Sequence, residues 1–362
     1  MEKRIKKWDI LRILLVIMVV LGHSTYLKID TNFGGIDYLQ YLEESDNFPT
    51  KFYSVVENIT NSIYLFHMPV FIFLSGVMFK RALDKGKYDK FKSLVKDKFL
   101  KLIVPLIFVW TIWNIPIKYF SNYYQGISTL DMYIQIIFSS NVYLWFLEAL
   151  FFSFLINWFI VKKVKSRLIQ NILVSVMFIY GCILELIVGK NMPLGNPLYY
   201  QLWLYIGINW DSIQSKLDKF VLTKYIFLFI DAVLIASNVI IYNLKIFMDL
   251  DEVMQILIIL SKFIIPFISI YLLSKLSEFI EKVINIKDNT IKEISKYLFG
   301  IYLYAEPLNY LVLKIYYDIF GKYIFVSEIG SMILYFSRIG FSVLIAMIVV
   351  KILERYKLKY LY

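Results

Sequence analysis

Two histidines, an arginine and a glutamate interrupt apolar stretches of this chain, where ionisable groups are costly to keep. The first stretch, WDILRILLVIMVVLGHS, runs from Trp8 to Ser24 and contains Asp9, Arg12 and His23. Arg12 and His23 stand about three helical turns apart, so a helix puts both on one face, roughly 16 Å from each other along its axis. Ionisable side chains in a membrane helix face the bundle interior or a wet cavity. The pair therefore reads as a polar track from one end of the helix toward the other. Taken singly, Asp9 and Arg12 would equally serve as an interfacial i,i+3 pair, and His23 as a packed polar residue.

His67 lies in SIYLFHMPVFIFLSGVMF, about eight residues into the second apolar stretch. Pro69 is expected to bend that helix just below His67 and to free a backbone carbonyl there. Glu148 lies in VYLWFLEALFF at a similar depth in the fourth stretch. Two imidazoles and a carboxylate thus reach one layer from three helices. A neutral histidine beside a carboxylate can act as a general base. His67 as an interhelical hydrogen-bond partner and Glu148 as a snorkelling interfacial acid are the structural alternatives. Ser24 and Ser75 are present, but no Gly-x-Ser-x-Gly elbow marks a serine nucleophile. At the opposite membrane edge, KDKFLKLIVPLIF carries Lys98 and Lys101, three residues apart, with Pro105 one turn later. Arg12 enters at the same level. Three cations there would suit a phosphorylated ligand, although cytoplasmic helix ends commonly carry lysines. Asp231, Lys262, Glu306 and Arg338 interrupt later stretches and are expected to pair with one another.

The elements that must position these residues are helices in a bilayer. Of 362 residues, 59% are hydrophobic and 18% aromatic, well above the roughly 45–50% apolar content of soluble domains. Ten apolar stretches can be marked, at about 8–27, 59–79, 99–120, 142–161, 168–188, 198–210, 221–243, 253–274, 294–316 and 329–351. The sixth is short enough to be tilted, broken or re-entrant. The first has no small-residue cleavage site after it and reads as a retained helix, not a signal peptide. Basic residues alternate between loops: Lys3, Arg4, Lys6 and Lys7 in the N-terminal tail, a lysine-rich 80–101 connection, and Lys351, Arg355, Lys357 and Lys359 after the last span. The fold class is an all-α polytopic bundle of about ten transmembrane helices with both termini cytoplasmic. It forms a single domain over 1–362, and no appended soluble domain is expected.

The same alternation accounts for the net charge of +11 without nucleic acid. One cysteine, Cys182, excludes a disulfide framework and a cysteine metal cluster, and two histidines make a zinc site unlikely by composition. The outer loop 28–58 is long and acidic, with Asp30, Asp37, Glu43, Glu44, Asp46 and Glu57. The stretch 121–141 is polar and aromatic, with a short helix expected near Ser128. Loops of this size often shape a binding mouth, or serve only as solvated connectors.

Five motifs appear in order: the Asp9–Arg12–His23 helix, FHMPVFIFLSG at 66–76, the Lys98–Lys101–Pro105 entry, LWFLEALF at 144–151 and FGIYLY at 299–304. Together they resemble the acyltransferase-3 family of integral membrane acyltransferases, and the FHMP-type second span is most similar to its fucose-4-O-acetylase-like branch. The resemblance covers the whole chain in spacing and is sharp over about the first 150 residues. It implies a bacterial plasma-membrane enzyme that O-acylates sugars from cytoplasmic acetyl-CoA, with no permanently bound cofactor. His23 would be the catalytic histidine and Arg12 the essential arginine of its helix. Lys98 and Lys101 would occupy the basic pair associated with the acyl donor, more often arginine in the family. Lysine lacks arginine's bidentate fork. The family often has a histidine after the late IYL motif, where this chain has Ala305-Glu306-Pro307. In this reading His23 takes the proton from the attacking sugar hydroxyl, and Glu148 or His67 orients the imidazole or acceptor. Partners are acetyl-CoA, a glycan or lipid-linked sugar acceptor and the bilayer, with a homo-oligomer allowed for. The alternative is a transporter or flippase for a glycan or lipid-linked sugar, and a third reading is a non-catalytic domain that recognises a ligand for a partner.

Overall fold

Helix α1 (Lys6–His23) is the axis around which the other helices pack, because its apolar faces point at neighbours on several sides. Leu11, Leu15, Val16, Val19 and Val20 are buried. The computed structural model describes residues 6–31, 33–43, 48–135, 143–188, 193–219, 223–244, 252–284 and 287–362. Lys3 and Arg4 of the basic tail, and Glu44 and Asp46 of the acidic loop, lie outside the described residues. After α1 come the antiparallel strands β1 (Lys28–Thr31) and β2 (Gly34–Asp37). Then follow α2 (Phe48–Tyr64), α3 (His67–Asp84), α4 (Phe91–Phe120), α5 (Trp145–Lys163), α6 (Arg167–Val188) and α7 (Pro197–Ile208). The chain closes with α8 (Thr223–Leu244), α9 (Glu252–Val283), α10 (Asp288–Phe320) and α11 (Glu328–Arg355).

Six helical stretches among the described residues are long and apolar enough to cross a membrane: Phe48–Asp84, Phe91–Phe120, Trp145–Lys163, Arg167–Glu185, Leu260–Val283 and Glu328–Arg355. α1 and α10 carry more charge, and they pack against each other at the centre of the bundle. The lipid-facing reading fits α6, whose Leu168, Ile172, Val176, Ile179 and Ile183 are all exposed. These residues recur at helical spacing, so an apolar stripe faces away from the protein. α7 is the short sixth stretch. Twelve residues rise about 18 Å, less than the hydrocarbon thickness of roughly 30 Å, and the helix is buried from Leu202 through Ile208. It is held against α3 backbone to backbone. A Cβ on Gly76 would lie 2.1 Å from the Leu204 carbonyl oxygen, and one on Gly207 would lie 2.1 Å from that of Phe73. Small residues at such crossings let membrane helices approach closely.

Three local expectations are revised. The break in the second stretch falls at Leu65–Phe66, above His67, not below it. Pro69 then sits in the first turn of α3, where its missing N–H is no loss. The acidic loop is largely folded: it forms the hairpin, a short helix Gln40–Glu43, and the start of α2 eleven residues earlier than the apolar run begins. The lysine-rich 80–101 connection shrinks to a turn, because α3 runs to Asp84 and α4 starts at Phe91. Ser128 does cap the short helix Thr129–Ile134, accepting a bond from the Asp131 N–H at 3.1 Å.

α4 contains two π-helical turns, Phe99–Ile103 and Val109–Asn114. Each runs up to a proline, Pro105 and Pro116. A proline cannot donate to the carbonyl four residues back and its ring crowds that carbonyl, so the turn before it widens. One π turn carries Lys101, and the other carries Trp113 and Asn114.

Candidate active site

His23 is the last residue of α1 and is partly buried. Its ring meets two tyrosines edge-on, Tyr64 at 6.4 Å and Tyr143 at 6.3 Å between centroids. Tyr64 reaches it because Gly22 has no side chain: a Cβ there would stand 2.6 Å from the Tyr64 ring. Beyond Tyr64 lies His67, stacked on the same ring at 4.8 Å. His67 Nδ1 is 3.0 Å from the Ile63 carbonyl oxygen. A carbonyl can only accept, so Nδ1 carries the proton and Nε2 keeps its lone pair. Glu148 is buried in the first turn of α5. The electrostatic neighbours of the imidazoles are Lys118 for His23, and His23 itself for His67.

Lys118 had no role in the sequence reading. It ends α4 with only 2% of its surface exposed, and its ammonium lies 3.6 Å from the carboxylate of Glu306. That carboxylate also accepts the Tyr310 hydroxyl. The ammonium stands over the rings of Tyr123 (4.4 Å) and Tyr310 (5.1 Å). A buried charge pair of this kind needs further partners to offset its desolvation, and the two tyrosine faces and the hydroxyl supply them. The four late-span charges therefore do not pair with one another. Glu306 pairs with Lys118, and Lys262 with Glu185 at 3.0 Å. Asp231 accepts from the Ser269 hydroxyl at 2.8 Å, and Arg338 donates to the Tyr26 carbonyl at 2.9 Å. Lys118 left one trace in the sequence: it is a lone lysine in the apolar and aromatic run that closes α4.

Pro307 gives the Ala305-Glu306-Pro307 segment its structural meaning. It removes the N–H that would bond the Leu303 carbonyl, and the Tyr143 hydroxyl donates to that carbonyl instead. Tyr302 returns a bond to the Tyr143 carbonyl at 3.0 Å. The ring beside His23 is thus clamped to α10 at both its ends. Tyr199 does the same for Pro266, donating to the Lys262 carbonyl at 3.0 Å. Neither partner of the Ser24 hydroxyl is a histidine or a carboxylate. The hydroxyl is shared between the Val20 carbonyl (2.8 Å) and Asn309 Oδ1 (2.9 Å), and it has one proton to give.

Arg12, Lys98 and Lys101 line one cavity of about 500 Å³ beside the middle of α1. Lys87 and Lys359 add to its charge, and Phe71, Phe146 and Tyr302 form the deeper walls. The Lys98 ammonium sits in an aromatic cage, 3.5 Å from the Phe154 ring centroid and 5.6 Å from that of Tyr88. Asp97, overlooked in the sequence, bridges Lys101 (3.0 Å) and Lys87 (3.2 Å) and accepts the Tyr88 hydroxyl at 2.6 Å. Arg12 has Asp9 at 4.0 Å, the i,i+3 pair of the alternative reading. The cavity takes Arg12 and Val16 from α1, so its top lies below His23. Tyr302 lines it and bonds Tyr143, which touches His23.

The chain is a helical membrane protein with a basic, aromatic cavity beside its central helix and a partly buried histidine at that helix's end. A family model of the acyltransferase domain matches residues 5–351, and the chain belongs to the acyltransferase-3 family. No curated protein and no solved structure matches it.

Proposed function

We propose that this membrane acyltransferase moves an acetyl or small acyl group from cytoplasmic acetyl-CoA to a sugar hydroxyl of a cell-surface or lipid-linked glycan. The observation that carries the reading is the column on α1: a basic cavity holding Arg12, Lys98 and Lys101 below, and His23 above it behind Tyr302 and Tyr143. The phosphates of the donor sit among the cations and its thioester arm reaches past Tyr302. His23 takes the proton of the sugar hydroxyl as its oxygen attacks the thioester carbon. The C–O bond forms, the C–S bond breaks, and the proton passes from the imidazolium to the leaving thiolate. Glu306 neutralises Lys118 beside the ring. His67 acts through the Tyr64 ring it stacks on, and Glu148 is the carboxylate of the same layer. The chain works as one domain of ten spans in a bacterial plasma membrane, both termini cytoplasmic, in the manner of fucose-4-O-acetylase-like relatives. Family membership favours acyl transfer over glycan export.

The test is free CoA thiol release from acetyl-CoA by purified protein in nanodiscs, with and without a panel of sugar acceptors. Release that needs both an acceptor and His23 is expected. His23→Ala protein that is folded and retains full transfer overturns the mechanism. Wild-type protein that neither binds CoA saturably nor releases thiol overturns the function.

A further inference from the structure

A second cavity, of about 650 Å³, opens at the opposite end of the bundle from the cationic one. The β1–β2 hairpin, the turn after α4 and the top of α10 enclose it. Its charges nearly balance, unlike those of the first. Lys28 and Lys314 are its ammonium groups, and each lies against a carboxylate: Lys28 to Asp37 at 2.7 Å, Lys314 to Asp318 at 2.8 Å. Asp30 adds a third carboxylate, which leaves the lining at a formal charge of −1 (two lysines against three aspartates). Asn122 and Gln125 contribute amides that both donate and accept. One wall is aromatic. Tyr38 stacks on Phe325 at 5.5 Å, Tyr41 on Tyr317 at 5.4 Å, and the last two share a hydroxyl bond of 2.8 Å.

We infer that this cavity is a binding subsite for an extended, uncharged saccharide. Sugar rings present hydroxyls at their edges and apolar C–H faces above and below. Carboxylates and amides match the edges, and the tyrosine wall offers apolar surface to the faces. The charge balance disfavours phosphates and uronates. Position gives the subsite its use. The cavity is floored by Ser121 and Asn122, one turn above Lys118, whose carbonyl accepts the Ser121 hydroxyl at 3.0 Å. On α10, Tyr317 stands eleven residues above Glu306, about 16 Å along the axis. A lone sugar at His23 cannot span that rise, whereas a chain of sugars can. The subsite therefore selects oligomeric acceptors through units remote from the reacting hydroxyl. This rests on the acyl-transfer reading for its purpose, and on the cavity alone for its binding.

The experiment measures thermal stabilisation of the nanodisc-embedded full chain by chitin-type and α-glucan oligomers of one to six units. Oligogalacturonate is the anionic counterpart. Asp30→Lys inverts an exposed charge, and Asn122→Gly removes an exposed amide at a residue whose φ of 60° suits glycine. Binding that grows with length in a neutral series, and weakens about tenfold in each variant, is expected. His23→Ala should bind like wild type. Equal binding by wild type and both variants, preference for oligogalacturonate, or no binding in either neutral series overturns the subsite. Length-dependent binding without transfer from acetyl-CoA overturns the acyl-transfer reading and leaves the subsite standing.

Discussion

Tyr143 shows how much of this site depends on one hydroxyl. Its O–H satisfies a carbonyl that Pro307 leaves without its helical donor, and its ring edge faces His23. Tyr143→Phe keeps the ring and removes the bond. A buried carbonyl then loses its partner, at a cost of about 1–3 kcal/mol. The expected result is a lower unfolding temperature together with a lower kcat, since the ring is no longer fixed beside the imidazole. Unchanged stability and turnover would show that the clamp is idle. Lys98 makes a contrasting case. Its ammonium is held by ring faces, and no ion pair to it is seen among the described residues. Lys98→Met fills the same aromatic cage without the charge. The variant should fold with an unchanged melting temperature and raise the donor KM by about tenfold. Steady-state kinetics against acetyl-CoA checks it, and an unaltered KM would remove Lys98 from the donor site.

At the scale of elements, the readable features were those with local causes. Arg12 and His23 keep their separation because a single helix joins them. Arg12, Lys98 and Lys101 meet in one cavity because both segments start at the same end of the bundle. Ser128 begins a short helix because its side chain caps it. What stayed hidden depended on distant chain segments. Lys118 and Glu306 are almost two hundred residues apart, and nothing near either one names the other. The π turns of α4 follow from Pro105 and Pro116 only once the helix is known to continue through them. The close crossing of α3 and α7 was also out of reach, since Gly76 and Gly207 look like ordinary small residues in apolar runs. It now makes a prediction. Gly76→Ala or Gly207→Ala forces the two backbones apart and should destabilise by about 1–3 kcal/mol each. Because both act on one crossing, the double variant should fall short of the sum. Thermal unfolding in detergent reads this directly, and two neutral substitutions would mean the helices are not in contact.

For the whole molecule, the two cavities give the bundle a polarity. One end gathers Arg12, Lys87, Lys98, Lys101 and Lys359 around a cavity, and the other encloses a lining of formal charge −1. Lysine-rich helix ends mark the cytoplasmic face of a membrane protein, so the proposed function needs the basic cavity on that face and the second cavity outside. In that proposal His23 receives the donor from one side and the acceptor from the other. This orientation can be tested independently of any activity. Cys182 is the one native cysteine, so Cys182→Ser provides a blank background. Gln125→Cys places a thiol in the outer cavity's rim, and Lys92→Cys places one on the exposed first turn of α4. A membrane-impermeant maleimide should label the first in intact cells and the second only after the membrane is opened. Labelling in the opposite sense would invert the molecule, put the basic cavity outside, and remove cytoplasmic acetyl-CoA as its donor. The transfer mechanism would then need an acyl donor available on the outer face, whatever His23 does in purified protein.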